Sequence, residues 1–365
     1  MASNKNQHFV PKCYLKPFTL DRKGVAISVY NIDRQRLIPN ASTKNQCSKD
    51  YFYGQDDQLE RAIQSIEQAY ATVLKEILLP GYRLTAGHCE ILQIFWLFQY
   101  LRTEGANRRS VDMLANMLEP VKHGDNFSIS LKEAVQSAMY AFSQSMETVS
   151  DLKVCLLKNQ TDFPFITSDD PAVLTNRWQL QDLRGRWRPL GLKGAGAILF
   201  LPISPQICCV GYDSDVYSVP SDKGWVAVRT RSDIEAINEL QLLNCRANIF
   251  INDEIHAEVL DSFVEKLKHR RLESRYEVNF AIFDGEAVGG GEKFRVVSKV
   301  EFEEAQNGIV HAQTVCQSPS QWPSFLMRRN KGCVYHDGSA AGYVRRMHAD
   351  SKGASQPFSK ILAYK

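Results

Sequence analysis

The chain has 365 residues, 44% of them hydrophobic and 23% charged, with a mean hydropathy of −0.30. These are ordinary globular values: they exclude collagen-like, coiled-coil and wholly disordered chains and leave room for one large domain or two modest ones. Net charge is only +3, but Ser318 to Lys365 holds eight basic residues against Asp337 and Asp350, a tail of +6 on a remainder of −3.

In chain order, Gln7 to Phe18 reads as a short opening element, with Pro11 suited to a first helical turn and Val10, Tyr14 and Phe18 as its apolar side. Val25 to Asn31 alternates and is β-rich, Arg36 to Pro39 can return as a hairpin, and Tyr51 to Tyr53 is a short strand-like patch. From Asp56 to Leu78 apolar residues recur at three and four (Leu59, Ile63, Ile66, Tyr70, Val73, Leu74, Ile77), with acids at the start and Pro80-Gly81 at the stop, which predicts a helix. Further helices are predicted over Thr85 to Glu104, resuming through Asp112 to Val121, and over Leu131 to Ser150.

After Asp151 the texture changes to short β-rich runs, Leu152 to Leu157, Phe165 to Thr167, Ala197 to Leu201, Ile207 to Tyr212 and Trp225 to Val228. Arg231 to Arg246 returns to helix, Ala247 to Ile251 reads as a strand, and Ile255 to Arg271 is helical again. Strands on both sides of a helical block, without regular βαβ alternation, predict an α+β fold in which the helices pack on a mixed central sheet. Beyond Tyr276, strand-like pieces around Phe280 and Val296 and a Gly289-Gly290-Gly291 turn predict a β-rich extension. The expected organisation is a main domain over 1–271, the extension over 272–317, and a basic, flexible tail over 318–365.

The polar opening Met1 to Gln7 lacks the apolar stretch of a secretory signal, and no apolar run approaches the roughly 20 residues that span a bilayer. A soluble, cytoplasmic protein with no membrane partner is therefore expected. The nine cysteines form no Cys-x-x-Cys, so reduced thiols are expected, with Cys208 and Cys209 acting as small hydrophobes in an apolar run. The eight histidines are scattered singly, which argues against zinc. Gly191, Gly194 and Gly196 are out of order for a dinucleotide fingerprint, so no nicotinamide or flavin cofactor is expected. A phosphate-loop lysine motif, a His-Glu-x-x-His helix and a Gly-x-Ser-x-Gly elbow are also missing from the sequence.

Several polar residues stand where apolar ones are expected. Ile91 to Leu101 is apolar nearly all round, the pattern of a buried helix, and Arg102 follows it on the face of Phe95, Phe98 and Gln99. A desolvated guanidinium needs an anion, either a protein carboxylate in a structural pair or a ligand phosphate. Asp169 and Asp170 follow an apolar strand and precede Pro171; they either share a cation such as Mg²⁺ or form a turn in which one caps backbone N–H groups. His8 could be a metal ligand, a general base or a hydrogen-bonded packing residue. Glu60 and Glu67, seven apart at the edge of the first long helix's stripe, could face water or point into a pocket. In the tail, Arg328, Arg329, Arg345 and Arg346 interleave with Trp322, Phe325, Tyr335 and Tyr343, a composition that can follow a nucleic-acid backbone or merely coat a solvated end.

A set of short motifs covers roughly residues 6 to 270: Gln7-His8-Phe9-Val10-Pro11 with Tyr14-Leu15 and Phe18, Ser48-Lys49-Asp50-Tyr51-Phe52-Tyr53, Leu59-Glu60 with Ile66-Glu67, Gln99 with Arg102-Thr103, Thr167-Ser168-Asp169-Asp170-Pro171, and Leu201-Pro202-Ile203-Ser204-Pro205. Together they resemble the domain-of-unknown-function 4238 family, found widely in bacteria. That family more usually has Asn at the place of Asp170, which favours Asp169 over Asp170, and the resemblance favours Glu60 over Glu67. It implies that His8, Glu60, Arg102 and Asp169 stand in recurrent positions. Four ionisable groups of mixed sign near apolar elements suit a small-anion or phosphate site.

The leading expectation is thus an intracellular metal-dependent phosphodiesterase or nuclease, in a bacterial defence or toxin-like setting. Asp169, Glu60 and His8 would hold Mg²⁺ or Mn²⁺ and activate water, while Arg102 would neutralise the phosphate. The alternatives are a non-catalytic nucleic-acid or protein binding module, in which the same groups form a buried salt-bridge network, and a small-anion sensor in which Arg102 grips a carboxylate or phosphate.

Overall fold

The computed structural model describes residues 5–121, 128–185, 190–252, 257–287, 291–305, 307–339, 342–350 and 357–364. From the N-terminus, β1 (Asn6–His8) leads into one helical turn, α1 (Lys12–Leu15), before the hairpin of β2 (Ala26–Asn31) and β3 (Arg36–Ser42) and the return strand β4 (Ser48–Asp50). The helical block follows: α2 (Asp57–Ile77), α3 (Ala86–Arg102), α4 (Glu104–Leu118) and α5 (Leu131–Ser145). Next come β5 (Lys153–Asn159), β6 (Thr167–Ser168), β7 (Val173–Thr175), α6 (Arg177–Gln181), β8 (Ile198–Ser204), β9 (Ile207–Tyr212), β10 (Tyr217–Ser218) and β11 (Trp225–Val228). They are followed by α7 (Arg231–Asn244), β12 (Asn248–Ile251) and α8 (Ala257–Leu267). The chain finishes with β13 (Tyr276–Ala287), β14 (Gly291–Val297), α9 (Lys299–Glu304), β15 (Gly308–Thr314), β16 (Met327–Arg328), β17 (Cys333–His336), α10 (Arg346–Ala349) and β18 (Ser359–Leu362).

The protein is α+β. Its central sheet has the order β11-β5-β9-β8-β7, mixed because β11 runs parallel to β5 while the other pairs are antiparallel. A second sheet, β3-β2-β12-β6, is antiparallel throughout. Both faces of the central sheet are buried, which is why its strands read as continuous apolar runs. Side chains alternate between two cores. Val154, Leu156, Leu199, Leu201 and Cys209 enter the core shared with α2, α3 and α5, while Cys155, Leu157, Ile198, Phe200 and Cys208 enter the core shared with α7 and α8. All nine cysteines are free, and Cys208 and Cys209 lie on opposite faces of β9 with burial pushing both thiols well up.

Local chemistry sets the helix limits. Asp56 caps α2 by accepting from the N–H groups of Gln58 and Leu59, and the predicted stripe buries Ile63, Tyr70, Val73, Leu74 and Ile77. The helix expected to run from Thr85 to Glu104 stops two residues early, at Arg102. Thr103 is extended (φ −67, ψ 155) and caps a separate helix, α4, which is continuous where an interruption before Asp112 was expected. Its hydroxyl accepts from Ala106 N–H at 3.2 Å and donates to Asp170 Oδ1 at 2.7 Å, so a tertiary contact fixes the break. Tyr51 to Tyr53, expected as a strand, is a turn with Tyr51 at φ 51, and the strand lies just before it. The expected helix start at Ile255, the glycines 289 and 290, and the tail residues Lys352 and Lys365 lie outside the described residues. No described helix is long and apolar enough to cross a membrane.

The basic end is woven into the fold rather than hanging from it. Phe325, Leu326, Val334 and Ala363 are buried in the second core, and β17 pairs with β18. Two buried acids of α7 fasten the segment before it: Glu239 accepts from Ser320 N–H at 2.9 Å, and Asp233 from Ser324 N–H at 2.7 Å. The physical reason is that these side chains complete an apolar core that α7 and α8 leave open. The three-stranded sheet β14-β13-β15 forms the β-rich extension, with Phe280 packed against Phe302 of α9 at 5.2 Å in a tilted arrangement.

Candidate functional site

Arg102 ends α3 with no exposed surface. Nε donates to Tyr53 Oη at 2.6 Å, Nη1 to Glu67 Oε1 at 2.8 Å and Nη2 to the His8 carbonyl at 2.5 Å, while the guanidinium lies 4.2 Å from the centre of the Phe98 ring. Tyr53 Oη in turn donates to the same His8 carbonyl at 3.1 Å, closing a ring of contacts. Burial works against the charge of Arg102, but Tyr53 and Glu67 outweigh it and raise its pKa. The guanidinium thus ties β1, the turn after β4, α2 and α3 together. The acid that meets it is Glu67, not Glu60.

That junction is the inner wall of a cleft of about 390 Å³ lined by His8, Lys12, Lys44, Glu60, Glu67 and Arg102, among others. Of the four residues expected to converge, His8, Glu60 and Arg102 do. Burial and the neighbouring Lys12 push the His8 imidazole below its ordinary pKa, so it is neutral at pH 7, and Nε2 lies 3.4 Å from the Thr43 carbonyl. Among the described residues Lys12, Lys44 and Glu60 make no ion pair, so both signs of charge face the cleft uncompensated. Cys13 also faces it, but burial pushes its thiol up to about 12, which leaves it a poor nucleophile.

Asp169 stands apart from the cleft. Its Oδ1 accepts from Arg246 N–H at 2.8 Å, and its Oδ2 from the N–H groups of Ala247 and Asn248, both at 2.9 Å. The carboxylate clamps the turn between α7 and β12, and with three donors on two buried oxygens it does not join His8 and Glu60 around a cation. Burial pushes its pKa up to about 6, against the pull of those backbone bonds. Among the described residues no group of three or more His, Cys, Asp or Glu side chains is placed to hold a metal ion. Asp170, which the family comparison disfavoured, makes the ionic contacts: Oδ2 meets Arg275 Nη2 at 2.7 Å and Arg109 Nη1 at 3.6 Å. The two acids face different partners, as mutual repulsion requires.

Each tail arginine has a partner within the protein, but only Arg345 is buried; Arg328, Arg329 and Arg346 remain exposed. Arg345 is 2% exposed and bonds Asp151 Oδ2 at 2.9 Å and the Thr148 carbonyl at 2.5 Å. Arg346 pairs with Asp215 at 2.8 Å, Arg329 donates to the Ser214 carbonyl, and Arg328 stacks 4.8 Å from the Tyr364 ring centre. Sequence reasoning missed a denser cluster. Buried Glu104 gathers Lys49, Arg108 and Arg246, and only the i, i+4 spacing of Glu104 and Arg108 hinted at it.

Fold and site together define an α+β protein with a polar cleft walled by one fully buried, ion-paired arginine. The chain belongs to the family described as Protein of unknown function (DUF4238), whose profile matches residues 6–254. The extension and the basic end lie beyond that match. No curated protein and no solved structure matches the chain.

Proposed function

We propose that the protein is a binding module for a small anionic, hydroxyl-bearing ligand, seated in the cleft between β1 and α2. The carrying observation is the division of labour in that cleft: each of the three nitrogens of Arg102 is engaged, by Tyr53, Glu67 and the His8 carbonyl, while Lys12, Lys44 and Glu60 line the same space without ion pairs among the described residues. A volume of about 390 Å³ lies in the range of small-molecule sites. The lysines suit a phosphate or carboxylate. Glu60, Gln64 and neutral His8 suit ligand hydroxyls or amines by hydrogen bonding. The phosphodiesterase reading is less well supported, because the acid it relies on most, Asp169, is engaged by backbone at another place.

The test is a thermal-shift and calorimetric screen of the full chain against nucleoside monophosphates, sugar phosphates and dicarboxylates, with and without Mg²⁺, Mn²⁺ or EDTA. A ligand of the folded state raises its melting temperature. The reading expects a hit that Lys12→Gln with Lys44→Gln abolishes and EDTA leaves intact. A hit that requires Mn²⁺ or Mg²⁺ and is consumed on incubation returns the metal-dependent hydrolase; a hit indifferent to both lysines removes the cleft from consideration.

A further inference from the structure

Glu104 opens α4 with its side chain only 7% exposed, and a single oxygen, Oε1, is met by Lys49 Nζ at 2.6 Å, Arg108 Nε at 2.6 Å and Arg246 Nη1 at 3.5 Å. The three cations come from β4, from α4 itself and from the turn after α7, so only the tertiary fold assembles them. One carboxylate needs one good partner, or two when buried. A third cation adds repulsion among like charges that Glu104 alone does not relieve. These cations are also not sealed inside: their side chains are 39%, 45% and 46% exposed, so their remaining N–H groups reach water.

The surrounding charges do not cancel the excess. Behind Gly105, Arg275 and Arg109 meet Asp170, while Asp169 accepts from the backbone N–H groups of Arg246, Ala247 and Asn248, so among the described residues neither acid forms an ion pair with Lys49, Arg108 or Arg246. Gly105 is what lets the two groups adjoin: a Cβ there would lie 3.1 Å from Asp170 Oδ2 and 3.4 Å from the Arg246 Cβ. The outer group therefore keeps three positive charges against one negative. The group is distinct from the cleft: none of Lys49, Glu104, Arg108 and Arg246 lines it.

We propose that Lys49, Arg108 and Arg246, held in place by Glu104, form a second binding site, for a phosphate monoester dianion. A phosphomonoester carries about −1.5 to −2 at neutral pH and three acceptor oxygens, which matches both the surplus charge and the number of cations. A diester carries a single charge and one fewer terminal oxygen, so it meets the site less well. Arginines anchored by a carboxylate lose little freedom on binding, which favours a fixed anion over loosely screened salt. A free phosphorylated metabolite and a phosphate group on a larger molecule would present the same chemistry here.

The experiment is calorimetric titration of the full chain at low ionic strength with methyl phosphate and dimethyl phosphate, in the wild type and in a Lys12→Gln/Lys44→Gln background that silences the cleft. In both backgrounds methyl phosphate is expected to bind, with dimethyl phosphate about tenfold weaker. Arg108→Gln is expected to weaken methyl phosphate about tenfold and Arg108→Lys to recover most of the loss. Arg108→Gln leaves Lys49 and Arg246 on Glu104, so its melting temperature is expected to stay near that of the wild type; should it not, Lys49→Gln, which leaves both arginines, repeats the test. Absence of methyl phosphate binding, equal affinity for the diester, or binding unchanged by both Arg108→Gln and Lys49→Gln overturns the proposal. Binding lost in the Lys12→Gln/Lys44→Gln background also overturns it, because the phosphate then sits in the cleft. A follow-up with phosphoserine and with inorganic phosphate separates an attached phosphate from a free one.

Discussion

Arg102 and Glu67 meet at 2.8 Å, with the guanidinium wholly buried and the carboxylate side chain 25% exposed. The pair joins the last turn of α3 to the middle of α2 and forms the inner wall of the cleft. Its two halves are unequal. Glu67 retains contact with water if its partner is removed, whereas Arg102 sits wholly buried against Phe98 with Nε and Nη2 bonded to Tyr53 and His8.

Arg102→Met is therefore expected to destabilise the fold by about 3–5 kcal/mol, as removal of one member of a buried ionic network does. Glu67→Gln, which can still accept from Nη1, is expected to cost about 1–2 kcal/mol. Urea denaturation of the two variants checks both values. An Arg102→Met protein as stable as wild type would show that the arginine is kept for a ligand and not for the fold.

Burial pushes the carboxyls of Asp169 and Asp213 up to about 6 from 3.8. Between these values the native state holds protons that the unfolded chain has released. The stabilisation from each group is thus full below pH 4 and is lost as pH rises through 6, up to about 3 kcal/mol per group. Asp213 accepts one backbone N–H on each oxygen, from Gly196 and Asp215. Asp213→Asn is expected to flatten the fall in stability between pH 4 and pH 7 relative to wild type, measured by urea midpoints across that range; an unchanged slope would mean that Asp213 titrates normally.

Asp169→Asn at pH 7 replaces the oxygen that accepts from Ala247 and Asn248 or the one that accepts from Arg246 with an amide donor. The expected cost is about 1–3 kcal/mol, with cleft ligands bound as before, since the side chain is not part of the cleft. Loss of ligand binding in a variant that keeps its melting temperature would return Asp169 to the site.

Arg345→Met is expected to lower stability by about 3 kcal/mol and to speed proteolysis within Met327 to Tyr364, because Asp151 and the Thr148 carbonyl lose their buried partner. Oligonucleotide affinity and its salt slope are expected not to change. A reduced salt slope with intact stability would restore the basic end as a nucleic-acid contact.

Gly105→Ala in an exposed helix would stabilise by up to about 1 kcal/mol through propensity. Here the new methyl would press on Asp170 Oδ2 at 3.1 Å, and that carboxylate is fixed by Thr103 and Arg275. A net loss of about 1 kcal/mol is expected by thermal or urea denaturation, and a gain would show that the Asp170 network can yield.

The sequence by itself determined what local periodicity can encode. The stripe of α2 and the apolar runs of the central sheet follow from side chains repeating at 3.6 and at 2, and with them comes the α+β class. The burial of Arg102 was also legible, because it continues an all-apolar helix. The choice between Glu60 and Glu67 was not: seven residues apart, they share a face of α2, and only the crossing of α3 over that helix decides which one the guanidinium reaches. The same holds for Asp169 and Asp170, whose partners lie more than sixty residues away in sequence, at Arg246 to Asn248, Thr103 and Arg275. Composition could count the basic residues of the tail but not their partners. A charge is solvated, paired or free according to what the folded chain brings within a few ångström, and for Arg345, Arg346 and the Glu104 cluster those neighbours come from distant elements.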